Sequence, residues 1–395
     1  MLWTYALLTF GGVLPQSAFG LQLAAAVGVL GLLGVLCWRG HPADVPLIVV
    51  LCGTLAFGIW AGPRLGVPLF SGVWAFYAFR RSDDRRVVRF FHFLLLVGLG
   101  EALLGLFQYF VTPGWIFGYI NVIPSPSGTL INRNHFAGLL EMLVPIAFGL
   151  SYRAAHRHRD LSQSYIYLVI GAVISLSLIF STSRMGIVSL FITLGFMALM
   201  IRTRSSQKRI GTAMGFGLVG MILAGALWIG VDAILQRYGG LLEVDAALRE
   251  GRMIIYRDTL KMIADNPWGI GIDGYRDGIR QYQTFEPGLL FDHAHNDYLE
   301  TASEWGVFPA VAFWVFVIAV LVQSVRAFLR SDSPENRWIL LASSGAIFAI
   351  LVHSLADFNL QILSNAMLFC MFVGIALGWI SRIETEEKIN SHYRE

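Results

Sequence analysis

Apolar runs of about twenty residues recur along this chain, and each is long enough to cross the roughly 30 Å hydrocarbon core of a bilayer as an α-helix. Spanning β-strands are only about ten residues long and alternate in polarity, so helices are the form these runs dictate. Composition agrees, with 56% hydrophobic residues and 14% charged. The chain reads as an all-α integral membrane protein with about twelve transmembrane helices and one long segment outside the membrane. The spans fall near 2–14, 20–38, 45–61, 66–79, 90–111, 135–152, 165–183, 185–201, 210–235, 307–325, 338–355 and 364–381. The first has no basic stretch ahead of it and a second apolar run follows closely, so it reads as a retained helix rather than a signal peptide.

Loop cations set the orientation, because Lys and Arg accumulate on the cytoplasmic side. Nineteen of the 29 Lys and Arg residues fall on one face, in groups around Arg39, Arg80–Arg89, Arg153–Arg159, Arg202–Arg209, Arg326–Arg337 and Arg382–Arg394. The short loops of the other face hold Arg64, Arg133 and Arg184. Both termini are therefore expected in the cytoplasm. Three regions follow: 1–235 with the first nine spans, the outward-facing segment 236–306 (periplasmic in a bacterial inner membrane), and 307–395 with three spans and a cytoplasmic tail. The net charge of +3 reflects this topology and gives no indication of nucleic acid. Cys37, Cys52 and Cys370 all lie inside expected spans, which argues against a disulfide framework.

Within 236–306 the spacing predicts a helix over 246–265, with Met253, Tyr256, Leu260 and Ile263 on one face and Arg249, Arg252, Arg257 and Lys261 on the other. Such a helix suits the lipid headgroup layer, and some of its arginines can also hold a ligand phosphate. The segment then ends on "FDHAHNDYLETASEWG", residues 291–306, just before an apolar span. A helix starting near His295 returns Ala302 and Gly306 to its face within about 20°, which points His295 into the bundle. Asn296, Glu300 and Glu304 fall on a stripe that reads as solvated, and His293 and Asp297 are spaced to pair. Three roles are open to His295: a general base near neutral pH, a structural residue at a helix end, or half of a His293-x-His295 chelate with Asp292 or Asp297.

Polar groups inside spans are expensive and mark wet cavities or sites. Glu101 and Gln108 share a face in one span, and Glu141 shares a face with Asn134 in another. Asn134 and His135 in "NRNHFAG", Arg184 in "STSRMG", and His353 and Asp357 in "HSLADFN" all stand at expected outer span ends. Each alone is compatible with helix capping or snorkelling. Together they place polar chemistry at one end of the bundle.

These motifs, in this order, resemble the O-antigen ligase family and its relatives, the polysaccharide polymerases of the same superfamily. The resemblance runs over roughly 90–380 and includes "GRMIIYRDTLKMIADNPWGIGIDGY". The ligase signature is His, then Asn, Ser or Gln, nine residues, Gly, two residues, then Gly, Thr or Tyr. His295, Asn296 and Gly306 fit it, and Pro309 departs from it at the last position. The resemblance implies a GT-C-like fold in the bacterial inner membrane, with the active site on its periplasmic face. It also implies a metal-independent, inverting transfer of a glycan from undecaprenyl pyrophosphate to an acceptor hydroxyl, with no cofactor. The acceptor is lipid A-core in a ligase and a growing lipid-linked glycan in a polymerase. His295 is then the catalytic base, Arg184 and Arg252 match the positions that hold the pyrophosphate, and Asn296, Asn134, His135, Glu141, His353 and Asp357 support them. A transporter or flippase is the alternative of another class. Against it stand the absence of a repeat between halves and the one-sided placement of the polar residues. A membrane metallohydrolase is a third reading, testable with chelators.

Overall fold

The computed structural model describes Thr4 and residues 62–113, 115–116, 119–120, 125–158, 160–204, 251–284 and 291–392. The first helix after the N-terminal region, α1 (Pro63–Arg81), starts with Pro in its first turn, where the missing N–H costs nothing. An Asp83 cap on the Arg86 N–H opens α2 (Asp84–Phe110). A two-stranded hairpin, β1 (Trp115–Ile116) with β2 (Tyr119–Ile120), follows. Asn132 caps α3 (Arg133–Arg153), and Asp160 caps α4 (Leu161–Phe180). A tight turn through Thr182, at φ 56, leads into α5 (Arg184–Arg204). Beyond it lie α6 over 251–265, the short α7 (Tyr275–Gly278), α8 (Asp297–Trp305), α9 (Val307–Arg330), α10 (Pro334–His353) and α11 (Leu363–His392).

The protein is an all-α multi-pass membrane protein, but the expectation of about twelve spans is corrected. Among the described residues seven helices are long and apolar enough to cross a bilayer: α2, α3, α4, α5, α9, α10 and α11. The expected spans at 2–14, 20–38, 45–61 and 210–235 lie outside the described residues. The one expected at 66–79 is α1, which falls short. Only residues 65–79 separate Arg64 from Arg80, about 22 Å of helix against a core of about 30 Å.

α3 is the hub of the bundle. Residues 135–152 are buried on every side, with α4 and α10 as the main neighbours. Apart from His135, Glu141 and Ser151 these residues are apolar on every side, as suits a helix with no face on lipid or water. α1 packs most extensively on α11. A Cβ on Gly374 would overlap the carbonyl oxygen of Gly72, so glycine is what lets these two backbones touch.

Charge divides the bundle into two ends. At one end Arg153 pairs with Glu335 at 3.2 Å and Arg382 with Asp84 at 3.7 Å, beside the exposed Arg80, Arg81, Arg85 and Arg86. The other end carries the first turns of α3, α5 and α11, the last turn of α10, and the whole of α8.

Candidate active site

Two loops interlock at that second end. Residues 291–296 precede α8, and residues 354–362 join α10 to α11. The N–H of Asp297 donates to the carbonyls of Ser354 and Asp357, both at 3.1 Å. Its carboxyl accepts from Ser354 Oγ at 2.7 Å and from Leu360 N at 3.2 Å. Asn296 caps α8 by accepting from Leu299 N, and its amide donates to the Leu355 carbonyl at 2.9 Å. The expected helix start at His295 is therefore corrected. His295 precedes the cap with left-handed backbone, φ 50, and its carbonyl is held by the Tyr256 hydroxyl of α6 at 2.9 Å. Gly306, at φ 90, ends α8 before α9 begins, so Ala302 and Gly306 do not continue a helical face from His295.

Three imidazoles surround one carboxylate. Asp357 lies 3.9 Å from His295 Nδ1, 4.0 Å from His135 Nε2 and 3.8 Å from His353 Nε2. None of these three nitrogens has a hydrogen-bond partner. At such distances the contacts are electrostatic rather than hydrogen bonds. Phe358 supplies the other wall: His293 stacks on its ring at 4.1 Å, while His135 and His295 meet it edge-on at 4.6 and 4.9 Å. The His295 side chain is 26% exposed and Asp357 only 1%, so the cluster has one accessible member. Deeper still, His353 Nδ1 and Glu141 Oε1 share a 2.9 Å hydrogen bond between two fully buried side chains.

Charge within the loops and α8 is lopsided. Burial pushes Asp297 well above the usual carboxylate range and pushes Glu300 and Glu304 up to about 8. Burial acts the same way on Asp357, but the imidazoles of His295 and His353, with His135 behind them, overturn it and hold this carboxyl well below its ordinary value. Near neutral pH Asp357 is thus the buried carboxylate here that keeps its charge, and it faces His295.

Several expectations change. Glu300 and Glu304 are buried, not solvated. Glu300 shares a 2.6 Å hydrogen bond with His293 Nδ1 and accepts from Ala294 N, while Glu304 accepts from Tyr275 N. His293 therefore pairs with Glu300 rather than Asp297. Burial, reinforced by Arg64, holds its imidazole down at about 4, so the pair is neutral. Among the described residues no group of three or more His, Cys, Asp or Glu is arranged to hold a metal ion. α6 leaves Met253 and Leu260 of the expected lipid-side face exposed, at 66% and 55%, and buries a face that the spacing did not single out, Ile255, Asp258, Thr259 and Met262. Its expected first residues, 246–250, lie outside the described ones.

The two proposed phosphate-binding arginines sit on different elements. Arg252 is half-buried on α6, close enough for its charge to act on the Tyr256 hydroxyl. Arg184 opens α5, after the turn where Thr182 accepts from Arg133 at 2.9 Å. Asn134 occupies the first turn of α3, and its N–H donates to the Asn132 cap. Glu101 is not part of the cluster. With Gln108 it binds the backbone of 127–129, Glu101 accepting from the Thr129 N–H at 2.9 Å. Sequence reasoning missed Tyr256 and Phe358 altogether. Tyr256 had counted as a lipid-facing residue, and Phe358 is ordinary apolar filling until three histidines are seen around it.

The family model for O-antigen ligase matches residues 168–315. The interval takes in "STSRMG", α6 and "HAHNDYLETASEWG"; "NRNHFAG" and "HSLADF", which complete the histidine cluster, lie on either side of it. No curated protein matches the chain. With the buried cluster at one end of a multi-pass helical bundle, the match assigns an O-antigen ligase domain to residues 168–315 and supports a glycosyltransferase role for the chain that carries it.

Proposed function

We propose that the His295 end faces the periplasm of a bacterial inner membrane, with both termini cytoplasmic. There the protein transfers a glycan from undecaprenyl pyrophosphate to a hydroxyl of lipid A-core, with inversion and without a metal. One observation carries the assignment of His295: the accessible imidazole of the cluster has its Nδ1 turned to the buried carboxylate that keeps its charge. That leaves Nε2 to take a proton. The acceptor O–H gives its proton to Nε2 as its oxygen bonds to the anomeric carbon. The bond from that carbon to the pyrophosphate oxygen breaks, and the electron pair leaves with the lipid pyrophosphate. Asp357 holds the imidazole and stabilises the imidazolium that forms, as in other carboxylate–histidine pairs. Arg252 and Arg184 meet the negative charge developing on the leaving group, and Asn296, His135, His353, Glu141 and Asn134 keep the loops and the cluster in place.

The test is a deletion strain whose surface glycans and lipid-linked intermediates are separated. Complete polymer stranded on the lipid carrier is the expected result. Single repeats accumulating instead would make the enzyme a polymerase, the reading that the departure of Pro309 from the ligase signature keeps open. Unchanged glycans and intermediates would sink both.

A further inference from the structure

A groove of about 340 Å³ runs between α1, α9 and α11, walled by Leu69, Val73, Phe313, Val317, Phe369 and Val373. A smaller cavity of about 60 Å³ continues it toward the His295 end and shares Leu69, Phe313, Phe369 and Cys370 with it. The path follows α11 from Ala366 to Leu377, about 17 Å of helix. Its walls are almost entirely carbon, which suits a hydrocarbon chain. Its upper end is not apolar: Arg64, Asp273, Thr301, Glu304, Trp305 and Gln361 form a mouth there.

The chemistry of the mouth distinguishes the two lipid substrates of a glycan transfer. A pyrophosphate needs surplus positive charge, and the mouth's single arginine, Arg64, is already bonded to Asp273 at 2.8 Å. Carboxyl, amide and hydroxyl groups beside an indole suit sugar hydroxyls and the apolar face of a sugar ring instead. α6 measures the separation from the proposed phosphate site. Arg252 lies one turn before Tyr256, which holds the His295 carbonyl. Thr259, a turn further on, shares a 2.7 Å hydrogen bond with the hydroxyl of Tyr275, whose N–H donates to Glu304. Arg252 and Thr259 are thus about 10 Å apart along this helix, with Tyr256 and its contact to the His295 carbonyl between them and Thr259 linked through Tyr275 to the mouth. An inverting displacement needs the acceptor oxygen and the leaving oxygen on opposite faces of the anomeric carbon, which two lipids held at separate places beside His295 can supply.

We infer that the groove seats the hydrocarbon chain of the acceptor glycolipid, with the sugar head at the Arg64–Asp273–Gln361 mouth. This rests on the glycosyltransferase reading above and adds which substrate enters from which side. A photocrosslinking residue placed at Val73 in cells should capture an acylated glycolipid, identified by mass spectrometry of the adduct. The same residue at Leu96, on the exposed face of α2, should capture bulk phospholipid. Phospholipid alone at both positions, or a polyprenyl pyrophosphate at Val73, would overturn the assignment. In the purified enzyme, Val73→Trp should raise KM for lipid A-core about tenfold or more, as losing the burial of two methylenes does. KM for the polyprenyl-linked donor should not move, and the de-acylated core sugar should be used equally by variant and parent. Transfer with an unmoved acceptor KM would defeat the groove and leave the transferase standing. A glycolipid adduct on a protein that transfers to neither acceptor would defeat the transferase reading instead.

Discussion

At the scale of single residues, His295 and Asp357 are predicted to separate function from stability. His295 sits at φ 50, a region Asn tolerates and most other side chains do not. His295→Asn therefore removes the base without straining the loop. Transfer should fall about 100- to 10,000-fold, while the unfolding temperature stays close to the parent's. Parental transfer by His295→Asn would leave the histidine structural. Asp357→Asn should cost both properties, because it leaves three buried imidazole nitrogens without their carboxylate; breaking a buried charged group's partnership typically costs about 3–5 kcal/mol. A fully stable Asp357→Asn protein would contradict the cluster's role in the fold. Arg252 allows a third comparison. Arg252→Lys keeps the charge but loses the fork that fits phosphate oxygens, so it should retain only a fraction of the transfer and raise the donor KM. An arginine that merely anchors α6 to lipid headgroups would accept lysine without loss.

At the scale of elements, α8 shows what sequence could and could not give. The signals for its true start are present in "NDYLE": an Asn cap with Asp297 and Glu300 in the first turn. Placing the start at His295 overlooked the cap and aimed His295 by a helical periodicity it does not share. Glu300 and Glu304 looked solvated because carboxylates usually are. Their burial depends on the N–H groups of Ala294 and Tyr275, and Tyr275 lies 29 residues from Glu304. No local pattern encodes that. The raised pKa of Glu304 has a measurable sign. A carboxyl that is protonated in the folded state up to about 8, but ionises near its ordinary value once unfolded, contributes stability that is full in acid and lost as pH rises through about 8. Glu304→Gln copies the protonated form, so it should change the unfolding temperature little at pH 5 and raise it relative to the parent at pH 9. The same shift at both pH values would show that Glu304 is ionised in the fold throughout.

At the scale of the whole molecule, hydropathy revealed the seven spans found among the described residues and counted one too many there. α2, α3, α4, α5, α9, α10 and α11 were each legible as apolar runs, whereas α1 was credited as a span although its apolar stretch is cut short by Arg64 and Arg80. The convergence of the polar span ends was legible too, since loop cations collect at the opposite end. The packing around Asp357 was not, because it brings together His135, His295 and His353 from three separate regions of the chain. The orientation of this assembly is the premise of the proposed chemistry, in which a lipid-linked donor meets the enzyme on the periplasmic face. It can be tested by single cysteines in a background with Cys37, Cys52 and Cys370 replaced by Ala. Cysteines at the exposed positions Asp292 and Arg276, which pair at 3.2 Å, should react in intact cells with a membrane-impermeant maleimide. Cysteines at Arg85 and Arg330, at the far end of the bundle, should react only after the membrane is opened. Permeabilised cells labelling at all four sites would establish that each thiol is reachable, so a silent site in intact cells reports its side of the membrane. Labelling of Arg85 and Arg330 in intact cells with protection of Asp292 would put His295 in the cytoplasm, out of reach of the donor, and would end the mechanism proposed for it.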